Sequence, residues 1–129
     1  MYVLLSSIRI EEVKEIIRKL LDKASRGLYF ALEYYFRKVS PNKGLVELLI
    51  ENPREFYLTL LKMFNLNEKA ADHLLYTLIK VLRPDYNHII LNDIVEGIKE
   101  GDSELVYKLI SSLIVEHKSN ELKNSDYFF

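Results

Sequence analysis

The sequence predicts an all-α fold: a compact bundle of six or seven short helices forming a single domain. Three observations carry this. Apolar residues recur three and four positions apart along almost the whole chain, as on a helix with one buried face. No segment alternates apolar and polar residues with the period of two that a half-buried strand needs. Only four glycines and three prolines interrupt the 129 residues.

The first helix is expected over about residues 8–24. Ile10, Val13, Ile16, Ile17, Leu20, Leu21 and Ala24 make its buried stripe, and Ser6 or Ser7 can cap it. Ser25-Arg26-Gly27 breaks it. The second, about 28–38, is apolar or aromatic nearly all round, with Tyr29, Phe30, Tyr34, Tyr35 and Phe36. Such a helix is buried on several sides or lies at an interface. It is expected at the centre of the bundle. A turn at Ser40-Pro41-Asn42-Lys43-Gly44 follows, then a short helix from Leu45 to Glu51.

Asn52-Pro53 with Glu55 is the best punctuated boundary: a cap, a first-turn proline and an acid three residues after the cap. The helix it opens runs through Phe56, Leu60, Leu61 and Phe64, and Asn65 can close it in the left-handed conformation. Asn67 caps a fifth helix, about 68–83, stopped by Arg83-Pro84-Asp85. A sixth occupies part of 88–100 with Ile90, Leu91, Ile94, Val95 and Ile98 as its face, and Gly101 ends it. The last begins at Asp102 or Ser103 and completes the domain, 1–117. Residues 118–129 are polar and read as a frayed tail.

Composition excludes several functions. With no cysteine, disulfides, thiolate metal sites and cysteine nucleophiles are ruled out. No apolar run approaches the ~18 residues of a membrane span. The amino terminus lacks the basic leader of a signal peptide, so a cytoplasmic protein is expected. The net charge of −1 offers no general attraction to nucleic acid or anionic membrane. The charge is unevenly spread, from +4 over residues 1–44 to −5 over 85–129.

Residues 28–83 resemble a small helical archaeal family, the Nitrosopumilus output domain. The likeness rests on Leu45-Val46-Glu47-Leu48-Leu49-Ile50-Glu51-Asn52-Pro53-Arg54-Glu55-Phe56, continuing through Leu60 and Phe64. In that family a short helix pairs with an Asn-Pro-x-x-Phe helix, between an Ala/Leu/Tyr-rich helix and a further amphipathic one. Ala31-Leu32-Glu33-Tyr34-Tyr35 and the 68–83 helix stand in the matching places. The resemblance implies an archaeal, all-helical, non-enzymatic and regulatory module, with no catalytic residue.

Catalytic, cofactor and metal sites are not expected. His73, His88 and His117 lack the spacing of a metal-binding helix face. Ser111 and Ser112 lie mid-helix without a nucleophile elbow, and the glycines form no phosphate loop. The expected function is a small protein-interaction or regulatory module, binding a protein partner and forming a two-fold homodimer. Its candidate contact residues are Tyr29, Tyr34, Tyr35 and Phe36, since tyrosine pairs an apolar ring with a wet hydroxyl. The alternative is a nucleic-acid-binding regulator using the basic stripe of the first helix, with Lys14 and Arg18 as contacts.

Overall fold

A computed structural model describes residues 9–40 and 42–126, with side-chain surroundings as far as Asn120. Among these residues there are seven helices and no strand. They are α1 (Ile10–Ala24), α2 (Leu28–Val39), α3 (Leu45–Glu51), α4 (Pro53–Met63), α5 (Glu68–Leu82), α6 (His88–Glu100) and α7 (Ser103–Asp126). The expected Ser6 or Ser7 cap and the terminal Tyr127-Phe128-Phe129 lie outside the described residues. At the described start of α1 the cap position is Arg9, which makes no side-chain cap bond.

The predicted caps form where the sequence places them. Asn52 Oδ1 accepts a hydrogen bond from Glu55 N at 3.2 Å, with Pro53 in the first turn of α4. Asn67 Oδ1 does the same for Ala70 N at 3.1 Å, and Asp102 Oδ1 for Leu105 N at 3.1 Å. Each satisfies a donor that has no partner within its own helix. Asn65 takes a φ of +54° after α4, and Leu66 follows it at +68°.

The centre of the bundle is α3. Leu45, Val46, Leu48, Leu49 and Ile50 are all buried, five of its seven residues. Around it pack Val13, Ile17 and Leu21 of α1, Phe36 of α2, Phe56 and Leu60 of α4, Leu75 and Ile79 of α5, and Ile110 of α7. A void lined by Ile17, Val46, Phe56 and Leu75 among others is about 20 Å³. It has room for a single water, and its walls are apolar, so it holds no ligand.

Three expectations are corrected. The aromatic helix α2 lies at the edge, packed on α1, α3 and α4, and not at the centre. The reason is its stripe: Tyr29, Leu32 and Phe36 are buried, whereas Phe30, Ala31, Tyr34, Arg37 and Lys38 face solvent. In α6, Ile90 points outward with Ile89, and Leu91 takes the inward place. Residues 118–126, expected to fray, continue α7 to Asp126. No glycine or proline follows Gly101 to stop the helix, and Lys118 pairs with Glu12 of α1 at 3.9 Å.

Candidate functional site

The four contact residues expected on α2 separate by face. Phe36 is fully buried, its ring centroid 5.0 Å from that of Phe56. Tyr29 is also buried, and its hydroxyl donates to Glu33 at 2.7 Å. Burial, followed by the Glu33 bond, raises the Tyr29 phenol above its ordinary pKa and keeps it neutral. Both rings are spent on the core and reach no partner, which corrects two of the four expected contacts. Tyr35 is half-buried against the core. Tyr34 alone stands out, 69% exposed, with Lys38 over its ring at 5.6 Å.

Phe30, one turn before Tyr34, is 61% exposed. Its edge meets Tyr29 at 5.8 Å between centroids. Ala31 between them is exposed and small. The outward face of α2 is therefore Phe30, Ala31 and Tyr34, bordered by Arg26, Arg37 and Lys38. Phe30 shares the solvent side with Tyr34, whereas Tyr29 and Phe36 do not. Arg37 and Lys38 share a helix face with Phe30 and Tyr34, and those charges mark which side is wet.

The other face of α2 is anchored by a charge cluster. Glu33 accepts a hydrogen bond from Leu45 N at 3.0 Å, capping α3 from a neighbouring helix. Arg37 reaches Glu33 at 3.5 Å and Glu47 at 3.2 Å. Lys14 of α1 closes on Glu47 at 3.1 Å and Glu11 at 3.5 Å. Burial works against the Lys14 ammonium, but the bond and charge of Glu47 outweigh it and raise its pKa. Burial also opposes the Glu47 carboxylate, and here its backbone bond, Lys14 and Arg37 prevail and lower its pKa. Gly44 sits inside this cluster, where a Cβ would collide with the Glu33 carboxylate.

Lys14 thus spends its charge between two carboxylates. Arg18 does likewise, bonded to Glu15 at 2.6 Å and paired with Asp22 at 3.5 Å. The two residues share a helix but present paired ions, not a bare basic stripe.

A second cluster ties α4, α5 and α6. Tyr57 donates to Asp72 at 2.5 Å, and Lys99 approaches Asp72 at 3.0 Å and Glu68 at 3.4 Å. Burial disfavours the Lys99 ammonium, yet Asp72 and Tyr57 raise its pKa. A third clamps α5 to α7: Arg83 pairs with Asp85 at 2.8 Å and Glu116 at 2.5 Å, and lies 4.5 Å from the Tyr86 ring centre. These clusters join helices. Among the described residues no group of three His, Asp or Glu side chains is placed to hold a metal ion. No described helix is long and apolar enough to cross a membrane.

An open groove of about 470 Å³ runs between α6 and α7. Tyr86, Ile90, Ile94, Leu105 and Leu109 line it together with the charged Asp102, Glu104 and Lys108. Gly97 lets the helices approach there, since a Cβ would lie 2.6 Å from Leu105 Cδ1. Ile89, 71% exposed, lies beside Ile90 in sequence on α6.

No family model, curated protein or solved structure matches this chain. The surfaces themselves therefore carry the functional argument. Among the described residues, two surfaces where apolar side chains meet solvent are the α2 face with its basic border and the α6–α7 groove, which carries Asp102 and Glu104 beside Lys108.

Proposed function

We propose that this chain is a small non-enzymatic interaction module with a regulatory role, and that it associates with a second copy of itself through the outer face of α2. One observation supports this above the rest. A single helix buries Leu32 and Phe36 on one side and still offers Phe30 and Tyr34, 61% and 69% exposed, on the other. Aromatic rings one turn apart are the side chains that dominate protein contacts, and water solvates them poorly. Ala31 permits close approach, and the Tyr34 hydroxyl with Lys38 supplies a polar border.

A second copy fits as partner because the chain carries both signs of charge. The +4 of residues 1–44 finds its complement in the −5 of residues 85–129. Two-fold pairing is the commonest way to close such a contact. The resemblance of residues 28–83 to the Nitrosopumilus output domain points the same way, since it implies a regulatory module without catalytic residues. The rival reading, a nucleic-acid-binding regulator, draws little from Lys14 and Arg18. Each already faces two carboxylates, and a phosphate would have to displace them.

Light scattering over a rising concentration series tests this. The parent mass should climb from 15.2 kDa toward twice that value. The Phe30→Ala/Tyr34→Ala variant should stay monomeric and melt like the parent. A parent mass that stays at one chain throughout, or tight salt-sensitive binding of DNA or RNA by the parent, would overturn the proposal.

A further inference from the structure

The outer face of α2 and the α6–α7 groove differ in charge. Residues 23–44 carry five bases, Lys23, Arg26, Arg37, Lys38 and Lys43, against one acid, Glu33. Glu33 is spent on Leu45 N and Tyr29, Arg37 pairs with Glu33 and Glu47, and Lys43 with Glu51, so Lys23, Arg26 and Lys38 are the bases this region shows to solvent. Residues 85–105 reverse this: six carboxylates stand against the single base Lys99, which is held by Asp72 and Glu68. The exposed aromatic face belongs to the basic region, and the groove to the acidic one.

We infer that the α6–α7 groove is the receptor for α2 of a second copy: Phe30 and Tyr34 seat on Ile90, Ile94, Leu105 and Leu109, while Arg26 and Lys38 meet Asp102 and Glu104. This rests on the self-association reading and names the other half of the contact. Pairing α2 directly on α2 would set the exposed Arg26 and Lys38 against their own copies. Seating α2 in the groove sets each base near a carboxylate. Lys108, one turn after Glu104, also lines the groove, so its charged residues Asp102, Glu104 and Lys108 sum to −1. Within one copy, α2 packs on α1, α3 and α4, whereas α6 packs on α4, α5 and α7. Two copies related by a two-fold axis would make the contact twice, each giving its α2 and receiving the other's.

Two variants separate the halves of the contact. Phe30→Glu/Tyr34→Glu removes the inserted face, and Ile90→Lys/Glu104→Lys removes the receptor; all four positions are exposed, so folding is spared. Native mass spectrometry reads each alone and mixed in equal amounts. Each variant alone should dimerise at least about tenfold more weakly than the parent, the size expected for losing buried aromatic anchors. The mixture should form a heterodimer, because one partner keeps its groove and the other its α2. If Ile90→Lys/Glu104→Lys dimerises as well as the parent, the groove assignment is overturned while self-association through α2 stands. If the parent itself is monomeric, both fall. If both variants are monomeric and their mixture is too, the groove is not the receptor.

Discussion

Helices α2 and α3 differ in a way their compositions conceal. The longer α2 carries five aromatic rings in twelve residues, yet three of its residues are buried. The shorter α3 has no ring at all, and five of its seven residues are buried. Apolar content therefore does not decide which helix becomes the centre. Helix α3 is flanked by tight turns at Gly44 and Asn52, so its neighbours in sequence fold back on both sides of it. Helix α2 is reached by a short break at Ser25–Gly27, packs one stripe on α1, α3 and α4, and keeps the other stripe wet. The surplus of rings on α2 is not core material but surface.

The sharpest way to break this comparison is to cut rings from the two sides of α2. Phe36→Ala should cost about 3–5 kcal/mol, as expected for emptying a fully buried aromatic site. Tyr34→Ala, on the same helix, should shift stability by no more than about 0.5 kcal/mol. Chemical denaturation of the two variants checks this, and equal costs would erase the distinction between the faces. A smaller effect sharpens the other half of the comparison. Asn52→Ala should cost about 1 kcal/mol by removing the acceptor for Glu55 N at the α3–α4 junction. A melting curve identical to the parent's would show that this turn does not hold α3 in place.

Much of this was legible in the sequence. The punctuation by Asn52-Pro53, Asn67 and Gly101 is local chemistry, and the helices begin and end close to it. The inward stripe of α5, with Ala71, Leu75, Leu78, Ile79 and Leu82, also follows directly from spacing. Helix α2 resisted because it is apolar nearly all round, so periodicity gives no unique inward side. Arg37 and Lys38, three and four residues after Tyr34, point to Phe30 and Tyr34 as the outer residues, while the third charge, Glu33, turns inward to Leu45 N. The cluster of Glu33, Gly44, Glu47 and Lys14 was not legible, because it joins three helices across the fold. The same holds for the groove: Ile90 reads as core by spacing until α7 is in place beside it.

The central claim is that α2 has one face in the core and one face in a contact between copies. Hydroxyl-radical footprinting of the parent at low and high protein concentration tests both halves in a single measurement. The account predicts that Phe30 and Tyr34 are oxidised readily when dilute and protected when concentrated, with Tyr29 and Phe36 protected at both. Equal oxidation of Phe30 and Tyr34 at the two concentrations, or a Phe36 as reactive as Tyr34 when dilute, would contradict it.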